Sequence, residues 1–253
     1  MKATCIEIAI FIATATSALG QNSELKKEQI QSIQKLINTF KTNNETKIAD
    51  AISYPLGREY PLKYLRTKKD FIQRFDEIFD KGFLDHVVKS NISDWSEVGW
   101  RGIMFDSGTL WLGDDGKIMT VNYQSPKEKQ LLAAAILSDK NQLPKALQDF
   151  ERPVYLIFTK TYKIRVDEKS EGIYRYSAWK IKNQKSEPDI IIGNGVLEFQ
   201  GSGGNQTITF KNNGFTYIVS IYVIGSVDTP EATLEVSKLE KIILTEDGNI
   251  KRN

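Results

Sequence analysis

From Pro153 onward the sequence carries no helical period. Short apolar or alternating runs follow one another instead: Val154–Phe158, Lys160–Val166, Tyr174–Ile181, Asp189–Ile192, Val196–Phe199, Gln206–Phe210, Thr216–Ile224, Thr233–Val236 and Lys241–Thr245. Such runs, bounded by Gly, Asn, Asp and Pro, read as strands. A stretch built only of strands must pack one sheet on another or close a sheet on itself. Residues 153–247 are therefore expected to form an all-β sandwich or barrel, with 248–253 as a tail. Asn212-Asn213-Gly214 predicts a tight hairpin, and Asn194-Gly195 a second one. Both sides of Thr216–Ile224 are largely apolar, which predicts a strand with neighbours on each edge.

The preceding half has a different texture. Ile30, Ile33, Leu36, Ile37 and Phe40 recur at helical spacing over Lys26–Lys41, and Ile48 and Ile52 share a face of a shorter helix over Glu45–Ile52. Thr67 and Asp70 stand at capping-box spacing before the strongest amphipathic pattern in the chain, Phe71, Ile72, Phe75, Ile78 and Phe79. A short helix follows Gly82. Gly102–Phe105, Thr109–Leu112 and Lys117–Tyr123, separated by turn residues, predict an antiparallel meander with Trp111 in its core. Ser125-Pro126-Lys127-Glu128 then opens another helix. The expectation is an α+β domain over 23–137, N-terminal helices with a curved antiparallel sheet. A linker over 138–152 is expected to hold a short helix between the two halves.

Lys2, the small and apolar stretch Ile6–Ala18, and Ala18-Leu19-Gly20 read as a signal peptide over residues 1–20, so the protein is expected to be periplasmic or secreted. Cleavage would remove Cys5, the only cysteine. One His and one Cys rule out zinc sites of clustered His and Cys as well as a disulfide framework. The formal net charge is +2, too small to attract nucleic acid. Asn44, Asn91 and Asn205 each head a glycosylation sequon, which matters only in a eukaryotic secretory pathway.

Two resemblances add to this reading. The order of three helices and then a bent sheet, over about residues 25–125, resembles the cone-shaped fold of the nuclear-transport-factor-like superfamily, which implies a pocket between helices and sheet. Tyr174-Arg175-Tyr176-Ser177-Ala178-Trp179, Glu187-Pro188-Asp189, Asn194-Gly195 and Gly201-Ser202-Gly203-Gly204-Asn205 resemble the C-terminal part of exported two-domain proteins of Bacteroidetes and related bacteria. That resemblance implies bacterial export and carries over no activity and no known catalytic residues.

Trp100 and Arg101 place an aromatic and a cation near the start of the meander, where they are candidates to line a cavity or a protein contact. Tyr176 and Trp179, with Tyr174, are candidates for an aromatic surface suited to sugar or peptide, with core packing as the alternative. The run ending in Asn205 has exposed-amide potential but lacks the Gly-Lys-Ser/Thr of a phosphate loop. Asp76 and Asp80 are expected on a solvent face, and Asp114-Asp115-Gly116 as a turn. His86 is the only imidazole, and no nucleophile elbow accompanies it. No catalytic residue, metal site or cofactor is expected. The function expected is non-enzymatic binding of a small molecule, glycan or protein in the cell envelope, without nucleic acid and without stable membrane insertion. The alternatives are a hydrolase or isomerase with a pocket in the first domain, or a structural or assembly protein.

Overall fold

The computed structural model describes residues 25–183 and 186–252; the expected leader, with Cys5, lies outside them. Helix α1 (Lys27–Lys41) buries Ile33, Leu36, Ile37 and Phe40, the stripe its spacing dictates. It is followed by α2 (Glu45–Asp50), capped by the Asn44 side chain, which accepts from Lys47 N–H. The phenylalanine-rich pattern is not one helix. Arg74 leaves helical geometry (φ −116°, ψ 16°) and splits it into α3 (Lys68–Gln73) and α4 (Phe75–Ile78). The split turns Phe71, Phe75 and Phe79 toward one another, edge to face, at centroid distances of 5.5–5.8 Å. Helix α5 (Lys81–Lys89) starts at Asp80, whose carboxylate accepts from Phe83 N–H.

A four-stranded antiparallel sheet follows in sequential order: β1 (Trp95–Glu97), β2 (Ile103–Phe105), β3 (Leu110–Leu112) and β4 (Ile118–Val121). The first of these had no separate sequence signal. Alternation sends Leu110 and Leu112 into the helical core, so Trp111 lies half-buried on the opposite face, its Nε1–H donating to Gly108 O. The expectation of a core Trp111 fails because a strand has only one inward face. Helix α6 (Pro126–Asn141) is capped by Ser125, as its sequence predicts. Glu128, the third residue of that start, is drawn fully into the protein instead, where Arg58 Nε donates to it at 2.7 Å. Arg58 also donates to Val121 O and Tyr123 O, so the pair ties α6 to the end of the sheet.

The second half is a closed antiparallel barrel of eight strands: β5 (Arg152–Thr159), β6 (Tyr162–Ser170), β7 (Ile173–Lys180), β8 (Ile190–Phe199), β9 (Gln206–Asn212), β10 (Phe215–Ile221), β11 (Ala232–Lys238) and β12 (Lys241–Ile250). Closure on itself is the solution the sequence left open between sandwich and barrel. Ile164, Val166, Tyr176, Ile192, Ile208, Phe210, Val219 and Leu234 fill the interior.

One expected turn and part of the expected tail belong to strands. Asn194-Gly195 is not a hairpin but a bulge inside one continuous strand, β8. Asn194 takes the left-handed conformation (φ 57°), and the pairing slips against Tyr174 and Tyr176. A Cβ on Gly195 would lie 2.1 Å from the Phe210 ring, so only glycine lets that ring fill the barrel here. The expected tail begins too early, because β12 runs on to Ile250. Gly248, Asn249 and Ile250 are the residues of β12 that pair with β5 and close the barrel, and a Cβ on Gly248 would meet Ile157 at 2.7 Å. Closure by so few pairs is reinforced by Glu246, which accepts from Thr159 Oγ1 (2.6 Å) and from Thr161 N (3.0 Å).

The linker does hold a short helical turn, Lys145–Leu147, and it is bound down. Leu147 and Phe150 are buried against the outer face of β6 and β7. There Arg165 donates to Asp167 (2.7 Å) and to Asp139 at the end of α6 (2.6 Å). Arg175 donates to Asp167 (2.5 Å) and to the carbonyls of Leu147 (2.7 Å) and Asp149 (3.1 Å). The Phe150 ring lies beneath both guanidinium groups, 5.0 and 5.8 Å from their carbons.

Candidate functional site

Among the described residues, two surfaces are candidates for a functional site. The first is a cleft of about 390 Å³ beside the small sheet, lined by His86, Ser93, Asp94, Ser96, Met104, Asp106 and Ser107. His86 Nε2 lies 3.1 Å from Asp106 Oδ2, both side chains about half exposed. The imidazole leans on Phe105, which in turn stacks on Trp95. The carboxylate comes from the turn between β2 and β3, where Asp106 (φ 41°) and Ser107 (φ 54°) are both left-handed. The same paired conformation recurs at Leu239 and Glu240 in the turn between β11 and β12. Asp85, the chain neighbour of His86, pairs instead with Lys81, whose hydrogen bond lowers its carboxyl below the ordinary range. Asp80 does not face solvent as expected: besides capping α5 it accepts from Tyr123 Oη at 2.7 Å. Burial and that hydrogen bond push the Tyr123 phenol up to about 12.

The second place is the seam where the first half meets one end of the barrel. Trp100 sits on a helical turn, Gly99–Arg101, that projects before β2, and it is 63% exposed. Opposite it is the glycine loop between β8 and β9. A Cβ on Gly203 would lie 3.7 Å from Trp100 Cη2 and 2.1 Å from Ile224 Cδ1, and one on Gly204 would lie 3.5 Å from Val223. Two glycines thus let an indole and two aliphatic side chains from distant parts of the chain converge on one loop. Asn205 fixes the arrangement. Its Oδ1 accepts from Val223 N (2.8 Å) and Ile224 N (2.9 Å), and its Nδ2 donates to Ile224 O (3.0 Å). Val223 and Ile224 were assigned to a strand, but β10 ends at Ile221 and both stand exposed in the following loop. Phe199, at the end of β8, and Val227, at the tip of the same loop as Val223, are exposed as well.

Of the residues singled out from sequence, Trp100 and Asn205 therefore come together, with Arg101 exposed on the same turn. Asn205 serves as a loop clamp, its amide already used by the backbone. Tyr176 lies elsewhere, inside the barrel at 1% exposure, its ring tilted against Phe210 and Tyr217, and burial pushes its phenol up. Tyr174 is buried too, so the pair presents no aromatic surface. Trp179 faces outward from β7 but is covered: Lys163 Nζ lies 4.4 Å over its ring and its Nε1 donates to Ser186 O. Sequence reasoning missed Phe199, Val223, Ile224 and Val227. The available signal was Tyr222-Val223-Ile224 running into Gly225-Ser226, a β-like apolar run that enters a loop rather than a turn.

No helix among the described residues is long and apolar enough to cross a membrane. The barrel has an apolar interior, the reverse of a lipid-spanning barrel with a polar lumen. No protein-family model, curated protein or solved structure matches the chain.

Proposed function

We propose that this is an exported, non-enzymatic binding protein whose contact surface is the apolar seam of Trp100, Val223 and Ile224. The observation that carries the reading is the convergence of these side chains, two of them more than 60% exposed, on a glycine loop clamped by Asn205. Isolated exposed apolar residues need no explanation, whereas a cluster assembled from separate parts of a chain marks an interaction surface. The export reading rests on the signal-like residues 1–20, and the periplasm or the extracellular space is the compartment they imply. A photoreactive residue at position 100, compared with one at the exposed Lys211, tests the reading in the native envelope. Adducts at position 100 and not at 211 support it, and equal labelling at both sites rejects it.

The His86–Asp106 cleft favours a second reading, a hydrolase or isomerase acting in the first domain. A carboxylate-paired imidazole in a polar concavity is an acid–base unit. Catalytic turnover that His86→Ala abolishes in a folded protein would establish it.

A further inference from the structure

We propose that the seam is an interfacial anchor: Trp100, Phe199, Val223, Ile224 and Val227 dip reversibly into the boundary layer of a phospholipid membrane. The inference rests on the binding reading above and names the partner of the same surface. Gln206 pairs with both Phe199 and Ile221, so the ends of β8, β9 and β10 are level. Loops 200–205 and 222–231 project beyond that line, and the Trp100 turn reaches the first of them. Val227, fully exposed, forms the tip of a turn closed by the Thr229 N–H to Ser226 O hydrogen bond.

Three features favour a lipid surface over a protein partner. The apolar side chains are protrusions separated by Gly, Ser, Thr and Asn, not the desolvated, tightly packed pocket of a protein hot spot. The three segments carry few charges. Glu231 is held by Arg252, and the remaining Arg101 and Asp228 are of opposite sign. A small-polar, nearly neutral surround suits the headgroup layer and gives no reason for a preference for anionic lipid. Finally, Trp is the side chain favoured at the membrane interface, and the neighbouring Arg101 guanidinium suits lipid phosphate oxygens. With no spanning element, the contact is shallow and reversible, as for an interfacial anchor rather than an integral segment.

Flotation of the purified protein with vesicles of phosphatidylcholine, and of phosphatidylethanolamine with phosphatidylglycerol, at roughly 1 mM lipid tests the proposal. Co-flotation with both is expected, little changed by salt. Tryptophan emission reports the site, because Trp95 and Trp179 are buried and Trp111 is half-buried. Vesicles should shift it to the blue, and Trp100→Phe should remove the shift. Val227→Asp places a charge at a tip that makes no core contact, and it should lower partitioning about tenfold without changing the melting temperature. Absence of flotation, flotation with anionic vesicles alone that salt abolishes, or a Val227→Asp variant that floats like the parent would each overturn the anchor. If flotation fails while the residue at position 100 still captures a protein, the membrane inference falls and the binding reading stands. If both fail, both fall.

Discussion

Each half of the molecule buries charge, and the two do so differently. In the first, Arg58 and Glu128 form a pair inside one folding unit, and the remaining guanidinium donors reach the carbonyls of Val121 and Tyr123. In the second, Arg165, Arg175, Asp167 and Asp139 lie between the barrel and the linker, so their hydrogen bonds join two units. Burial pulls the Arg165 guanidinium down, but hydrogen bonds with Asp139 and Asp167 hold it above its ordinary value. This second cluster is also less complete: Arg175 Nε and Ser177 Oγ are buried with no hydrogen-bond partner. Buried ion pairs are poor sources of net stability but costly to break singly. The linker is thus fastened to the barrel by geometry-dependent polar contacts around Phe150, whereas the first half is held by its phenylalanine core.

The largest expected effects break each cluster in turn. Asp167→Ala removes the acceptor that two buried guanidinium groups share, leaving Arg165 to Asp139 and Arg175 to the linker carbonyls, and Glu128→Ala leaves Arg58 without a carboxylate; each should cost about 3–5 kcal/mol in denaturant unfolding. Only the first should free the linker. Limited proteolysis should then cut faster between Asn141 and Lys145, where Asn141, Gln142 and Lys145 are already exposed in the parent, while the Glu128 variant keeps the parental pattern. Equal acceleration in both variants would mean that the seam cluster does not hold the linker.

The barrel closure offers a sharper test of the second half. Gly248→Ala forces a methyl against Ile157 at the closing strand pair and should cost about 1–3 kcal/mol through overpacking. Glu246→Ala, which removes the acceptor for Thr159 and Thr161, should cost about 1 kcal/mol, the value being limited by partial exposure to water. Burial raises the Glu246 carboxyl, but the hydrogen bonds from Thr159 and Thr161 outweigh it and hold the pKa below 4.5. A depressed carboxyl contributes stability above its unfolded pKa and loses it as pH falls through the folded one. Acid unfolding of the parent should thus steepen below about pH 4.5 relative to the Glu246 variant. Parallel acid profiles would remove Glu246 from the closure.

The two halves also differed in how far their sequences could be read. Periodicity located α1, the Ser125 cap and the meander because each depends on local spacing. The barrel's existence was legible in the same way, but its strand count was not. Asn194-Gly195 looks like a turn and Gly248 like the start of a tail in isolation, and their role as close-approach points depends on Phe210 and Ile157, which are distant in sequence. The candidate site shows the same limit. Trp100 and Asn205 were singled out separately, yet nothing local indicates that Gly203 brings them to one seam. Glu128 likewise reads as a capping residue until Arg58, 70 positions away, draws it inward.

The smallest expected effect decides between the two candidate surfaces. His86 and Asp106 form a half-exposed pair, and surface ion pairs contribute little. The imidazole leans on Phe105 from outside, so its removal opens no cavity in the core. His86→Ala should therefore change unfolding free energy by less than about 0.5 kcal/mol. Under the binding reading it should also leave vesicle partitioning and crosslinking at position 100 within about threefold of the parent, roughly 0.65 kcal/mol. If His86→Ala instead abolished a biological activity while Trp100→Ala left it intact, with both proteins folded, the polar cleft rather than the apolar seam would be the working surface.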